Sequence, residues 1–139
     1  MPLPFKKIDH IAIAVSDTET ALALWRDKIG LKVLFSEKVN GDTILLTHLD
    51  MGNIHLQLVE PLVYPHPLRD WLKIHGPSGL HHLCFEVEDI DVCFRHLGKE
   101  TGLTPANHLH QGTLGKKALF IESTSTSGVQ LELTGKSSL

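Results

Sequence analysis

Ile8-Asp-His-Ile-Ala-Ile-Ala-Val-Ser-Asp17 stands 72 residues ahead of Leu80-His-His-Leu-Cys-Phe-Glu-Val-Glu-Asp89, and the second stretch repeats the first in register. At that shift His10 meets His82, Val15 meets Val87 and Asp17 meets Asp89; further along, Gly30 meets Gly102 and Leu31 meets Leu103. Self-similarity at one fixed offset marks a structural unit used twice. The chain therefore reads as two related halves.

Each copy alternates as a strand does. Ile11, Ile13 and Val15 fall on one face and His10, Ala12 and Ala14 on the other; Leu83, Phe85 and Val87 likewise oppose His82, Cys84 and Glu86. Ser16 or Asp17 can cap a helix over residues 18 to 29, with Ala21, Leu22, Leu24 and Trp25 at helical spacing and Gly30 as its stop. Asp89 caps a second helix ending near Gly102. Further strands are predicted near residues 32–37, 43–50 and 53–60 of the first half and near 105–108, 117–122 and 128–133 of the second. Both halves are thus βαβββ modules, about residues 6–60 and 80–134.

Between them, residues 61–79 form a connector. Glu60-Pro-Leu-Val-Tyr-Pro-His-Pro67 is punctuated by proline, a short amphipathic helix runs from Leu68 to Ile74, and Gly76-Pro-Ser-Gly79 turns. One four-stranded sheet of about 70 residues leaves a face uncovered, so the modules are expected to pair within a single α+β domain, residues 1–139.

Composition agrees with one globular domain: 139 residues, 42% hydrophobic and 21% charged. A core of that size needs neither disulfides nor a structural metal. Sixteen acidic residues against thirteen Lys and Arg, with no basic stripe, argue against nucleic acid as a partner. Cys84 and Cys93 are not in Cys-x-x-Cys spacing and read as buried thiols of a reducing compartment. The first residues lack the apolar core of a signal peptide, and no run of 18 apolar residues occurs, so a cytoplasmic protein without a membrane partner is expected.

Ten histidines invite a search for a site, and the repeat narrows it. Asn53-Ile-His-Leu-Gln57-Leu matches Gly128-Val-Gln-Leu-Glu132-Leu at a shift of 75, so Gln57 corresponds to Glu132. Each module contributes a histidine from its first strand and an amide or carboxylate from its last. If those strands are neighbours and the two sheets face each other, His10, Gln57, His82 and Glu132 converge. Two imidazoles, an amide oxygen and a carboxylate suit a divalent first-row ion and leave room for substrate oxygens. His108 and His110 read as a loop or substrate-facing pair, and His55, His66, His75 and His81 as structural or exposed.

The chain resembles the vicinal oxygen chelate superfamily of glyoxalases, bleomycin resistance proteins and dioxygenases, and within it the methylmalonyl-CoA epimerase family. The resemblance spans Ile8 to Thr134 and is most specific at Asp9-His-Ile-Ala-Ile-Ala-Val, Glu60-Pro-Leu, Gly79-Leu-His-His-Leu-Cys-Phe-Glu-Val-Glu-Asp-Ile, Gly115-Lys-Lys-Ala-Leu-Phe and Gly128-Val-Gln-Leu-Glu-Leu. It implies a cup-shaped mixed sheet with helices outside. It also implies His10, Gln57, His82 and Glu132 as ligands of Co²⁺, Ni²⁺, Mn²⁺ or Zn²⁺, an acyl-CoA substrate, a homodimer, and catalysis through an enolate with Glu132 as an acid/base. A glyoxalase I type lyase and a metal-free binding module are the alternative readings. Two departures stand out: Thr43-Ile-Leu-Leu-Thr-His-Leu-Asp50 has no Glu where some family members carry one, leaving His48 and Asp50 as candidates, and Glu122-Ser-Thr-Ser-Thr-Ser-Gly128 replaces the family's His-Pro-Lys-Ser type of turn.

Overall fold

The computed structural model describes residues 5–106 and 108–138. They form two compact units, one of His10–His81, the other of the residues before His10 together with those from His82 onward.

In the first unit, β1 (Phe5–Val15) leads from His10 onward to α1 (Thr18–Leu22), then to β2 (Lys32–Val39), β3 (Ile44–Asp50), β4 (His55–Pro61) and α2 (Pro67–His75). The strand order is β2-β3-β4-β1. β1 runs parallel to β4, whereas β2/β3 and β3/β4 are antiparallel. Alternation along β1 gives this sheet two apolar faces. Ile13 and Val15 join Leu49, Leu56 and Leu58 under Leu22 of α1, while Ala12 and Ala14 join Leu46 and Val59 under Leu68 and Leu72 of α2. A fully buried leucine such as Leu58 contributes about 2 kcal/mol by leaving water.

The second unit repeats the plan. β5 (Ser78–Asp89) precedes α3 (Ile90–Thr101), β6 (His110–Gln111), β7 (Lys117–Phe120) and β8 (Leu131–Lys136), in the order β5-β8-β7-β6. Parallel β5/β8 corresponds to β1/β4. Val87, Leu119 and Leu133 pack under Ile90, Cys93 and Leu97 of α3.

The internal repeat survives residue by residue. Ala12 lies opposite Gln57 in the first unit, and Cys84, its partner at the 72-residue shift, lies opposite Glu132 in the second. First and last strands are therefore neighbours in both modules, as the sequence reading required.

α1 and α3 start as their capping residues dictate. The Asp17 carboxylate accepts from Thr20 N at 2.9 Å, and Asp89 accepts from Asp91 N and Val92 N at 3.0 Å each. The helix expected over 18 to 29 changes character at Ala23, however. Residues Ala23–Lys28 are a π-helix, with Ile29 N bonded to Leu24 O at 2.9 Å. That widening accompanies the packing of both Ala21 and Trp25 on the Ile13/Val15/Leu58 cluster.

The second module is less regular than expected. Where a strand was predicted near 105–108, Pro105 makes a lone bridge to Ile121, Asn107 lies outside the described residues, and the short strand comes at His110–Gln111. Proline removes the N–H that a longer ladder needs there. The last strand runs Leu131–Lys136 rather than near 128–133, because Gly128 (φ 86°) and Ser127 (φ 57°) still belong to the turn.

Candidate metal centre

One row of side chains crosses the first unit. β-ladder register sets Ala12 opposite Gln57, Gln57 opposite His48, and His48 opposite Phe35. A bulge between Val33 and Phe35 makes the last pairing possible: Val33 sits opposite Leu49 on the α1 face, and one extra residue, Leu34, lets Phe35 reach the other face over His48. Ala12 keeps the row open next to Gln57. His10, two residues before Ala12, shares its face.

Contacts along the row are polar and tight. Gln57 Nε2 and His48 Nε2 are 3.1 Å apart, and His48 Nδ1 lies 2.9 Å from His55 Nδ1. Phe35 stacks on the His48 ring at 4.6 Å, and the His10 ring meets it edge-on at 5.9 Å. His10, His48 and Gln57 are all buried. His55, read from the sequence as structural or exposed, is the partner of His48; its i, i+2 spacing to Gln57 sets it on the same face, since alternate residues of a strand share a face.

The second unit carries the matching row, with Cys84 opposite Glu132 and Glu132 opposite Phe120. Glu132 Oε1 is 3.0 Å from His82 Nε2, and its other oxygen is 3.3 Å from His110 Nε2. Phe120 stacks on His110 and receives the His82 ring edge-on. Burial, helped by the Glu132 and Asp9 carboxylates, holds the Cys84 thiol well above its usual range, so it is a neutral neighbour of the carboxylate.

Donor chemistry fits a metal ion. His10, His82 and Glu132 are buried groups of the kind that could hold one. His82 Nε2 and Glu132 Oε1 stand 3.0 Å apart, and would offer a divalent ion an imidazole nitrogen and a carboxylate oxygen.

Other candidates lie elsewhere. Asp50 is exposed and accepts from Gly52 N at 2.7 Å, holding the turn after β3. His108 is exposed; His66 caps α2 by accepting from Leu68 N, and His75 stacks on Trp71. No helix among the described residues is long and apolar enough to cross a membrane.

Comparison with known proteins follows the same lines. The sequence profile of the glyoxalase/bleomycin resistance protein/dioxygenase superfamily matches residues 9–120. Human mitochondrial methylmalonyl-CoA epimerase is 28% identical over 127 residues, covering 91% of this chain and 72% of its own length. The ethylmalonyl-CoA/methylmalonyl-CoA epimerase of Cereibacter sphaeroides is 30% identical over 129 residues, covering 91% and 96%. Among solved structures, a variant of Streptomyces coelicolor methylmalonyl-CoA epimerase in complex with 2-nitronate-propionyl-CoA superposes with a TM-score of 0.79 at 26% identity, covering 97% of this chain and 99% of that one.

Proposed function

The chain belongs to the glyoxalase/bleomycin resistance protein/dioxygenase superfamily, and from that premise we propose that it is an epimerase interconverting the 2R and 2S forms of methylmalonyl-CoA, with His10, Gln57, His82 and Glu132 holding one divalent ion. The observation that carries the reading is the matched register: in each unit the same cross-strand position, opposite Ala12 or Cys84, bears a ligand-type side chain beside a histidine-bearing strand. Relatives at 28–30% identity named as methylmalonyl-CoA epimerases support the substrate.

Charge also favours this substrate over a glutathione hemithioacetal. The four side chains include one carboxylate, so a dication among them would keep a net charge of about +1, which the malonyl carboxylate attached to C2 would neutralise, whereas the carboxylates of a glutathione adduct lie far from its reacting carbon. When bound, the ion supplies positive charge where negative charge builds on the thioester oxygen as the C2 proton leaves. The protein's own part is to take that proton. Glu132 carries it on Oε2, the oxygen directed away from His82 and toward His110. Phe120 packs against both imidazoles, and the carboxylate is buried. A second acid on the opposite face of C2 donates the proton that completes the inversion, and Glu132 releases the proton it took to solvent.

Incubation of the Co²⁺-loaded protein with (2S)-methylmalonyl-CoA in D₂O tests the assignment. Epimerisation with deuterium appearing at C2 is expected. Turnover of the methylglyoxal–glutathione hemithioacetal, with no label entering methylmalonyl-CoA, would replace the epimerase by a glyoxalase I type lyase.

A further inference from the structure

Of the four ligands assigned above, Gln57 is the one whose two ends differ. A carboxylate presents an oxygen whichever way it turns; an amide presents an oxygen or an NH₂, and the NH₂ cannot ligate. Its orientation must come from a neighbour that tells the ends apart. The two units differ at this point: the row position next to Glu132 is the apolar Phe120, whereas the position next to Gln57 is His48.

We propose that His48 is a positioning residue that holds the Gln57 amide by its NH₂ end and so commits Oε1 to the ion. The proposal rests on the reading of residues 10, 57, 82 and 132 as one metal centre. The bonding order follows from the contacts. Gln57 Nε2–H donates to His48 Nε2 at 3.1 Å, which places the proton of a neutral His48 on Nδ1. That N–H donates to His55 Nδ1 at 2.9 Å, leaving the His55 proton on its Nε2. The opposite tautomer of His48 would put N–H against Gln57, draw the amide oxygen to itself and turn the NH₂ toward the ion. Packing keeps the ring in place: His48 is 1% exposed, stacked 13° from parallel on Phe35. Partners of this kind around metal ligands typically carry 10–100-fold in metal affinity.

A four-protein cycle read by Co²⁺ titration, following the visible absorption of the bound ion, tests this without reference to turnover. His48→Phe keeps an aromatic ring on Phe35 and removes the acceptor; it is expected to weaken Co²⁺ binding roughly 10–100-fold against wild type. Gln57→Glu replaces the amide by a ligand with equivalent ends, so adding His48→Phe to Gln57→Glu should change affinity less than about threefold. An equal loss in both backgrounds, through misfolding or general loosening, would mark His48 as merely structural and overturn the proposal. Unchanged binding by His48→Phe alone would also overturn it while leaving the metal centre intact. Failure of wild type and Gln57→Glu alike to take up Co²⁺ would instead remove the metal centre, and this inference with it.

Discussion

Glu132 concentrates the chemistry of the second unit because its two oxygens have different company. One faces His82 Nε2 at 3.0 Å, the other His110 Nε2 at 3.3 Å. An oxygen beside the imidazole of His82, a proposed ligand, and an oxygen turned away from it can divide ligation from proton transfer. Glu132→Gln keeps the shape and an acceptor oxygen for one histidine but cannot exchange a proton. Its turnover of methylmalonyl-CoA is expected to fall by about 10²–10⁴-fold, with deuterium entry at C2 falling in parallel and Co²⁺ still bound at saturating concentration. Wild-type exchange in that variant would move the base elsewhere. The carboxylate could be picked out from the sequence because Glu132 answers Gln57 in the repeat. His110 could not be tied to it: His110 sits in a two-residue strand that no periodicity announces, and only the pairing of His110 with Ala118 fixes its position.

At the level of elements, the strands that carry the proposed ligands were legible and their irregularities were not. Alternation along residues 10 to 15 assigned both faces of β1 correctly, since Ile13 and Val15 pack beneath α1 and Ala12 and Ala14 beneath α2. Read straight through β2, the same rule would put Val33 and Phe35 on one face; the bulge separates them and brings Phe35 over His48. A second irregularity lies where β5 and β8 slip register between Glu86 and Asp89. There Gly135 comes so close to β5 that a Cβ would sit 2.6 Å from the Val87 carbonyl oxygen. Backbone on both sides leaves little room to yield. Gly135→Ala is therefore expected to cost about 1–3 kcal/mol, measured as a lower urea midpoint at unchanged slope, whereas Gly128→Ala, in open space in the preceding turn, meets only the strain of its positive φ. Equal stability of Gly135→Ala and wild type would show that the β5/β8 approach relaxes freely.

For the whole chain, the repeat encodes the two-module plan, whereas the number of histidines by itself singles out no site. Ten histidines are present; two answer each other across the modules, while His48 contacts Gln57, His55 contacts His48 and His110 contacts Glu132 in pairings that only strand register reveals. Their number still matters, for the unfolded state. An ion held by residues 10, 57, 82 and 132, as proposed, draws ligands from both units, so its binding free energy should be linked to unfolding of the entire chain. At free ion a hundredfold above Kd the folded state gains about 2.7 kcal/mol. At about 3 °C per kcal/mol for a chain of this length, that corresponds to a rise of about 8 °C in Tm. Ten imidazoles in the unfolded chain bind the same ions, which subtracts from the gain as the concentration climbs. The expected curve of Tm against Co²⁺ therefore rises from the chelator-treated value, passes a maximum and falls. With His82→Ala/Glu132→Ala the rise should vanish and only the fall remain. A Tm that declines from the first addition in wild type as well would mean that the folded chain holds no ion more tightly than the unfolded one does.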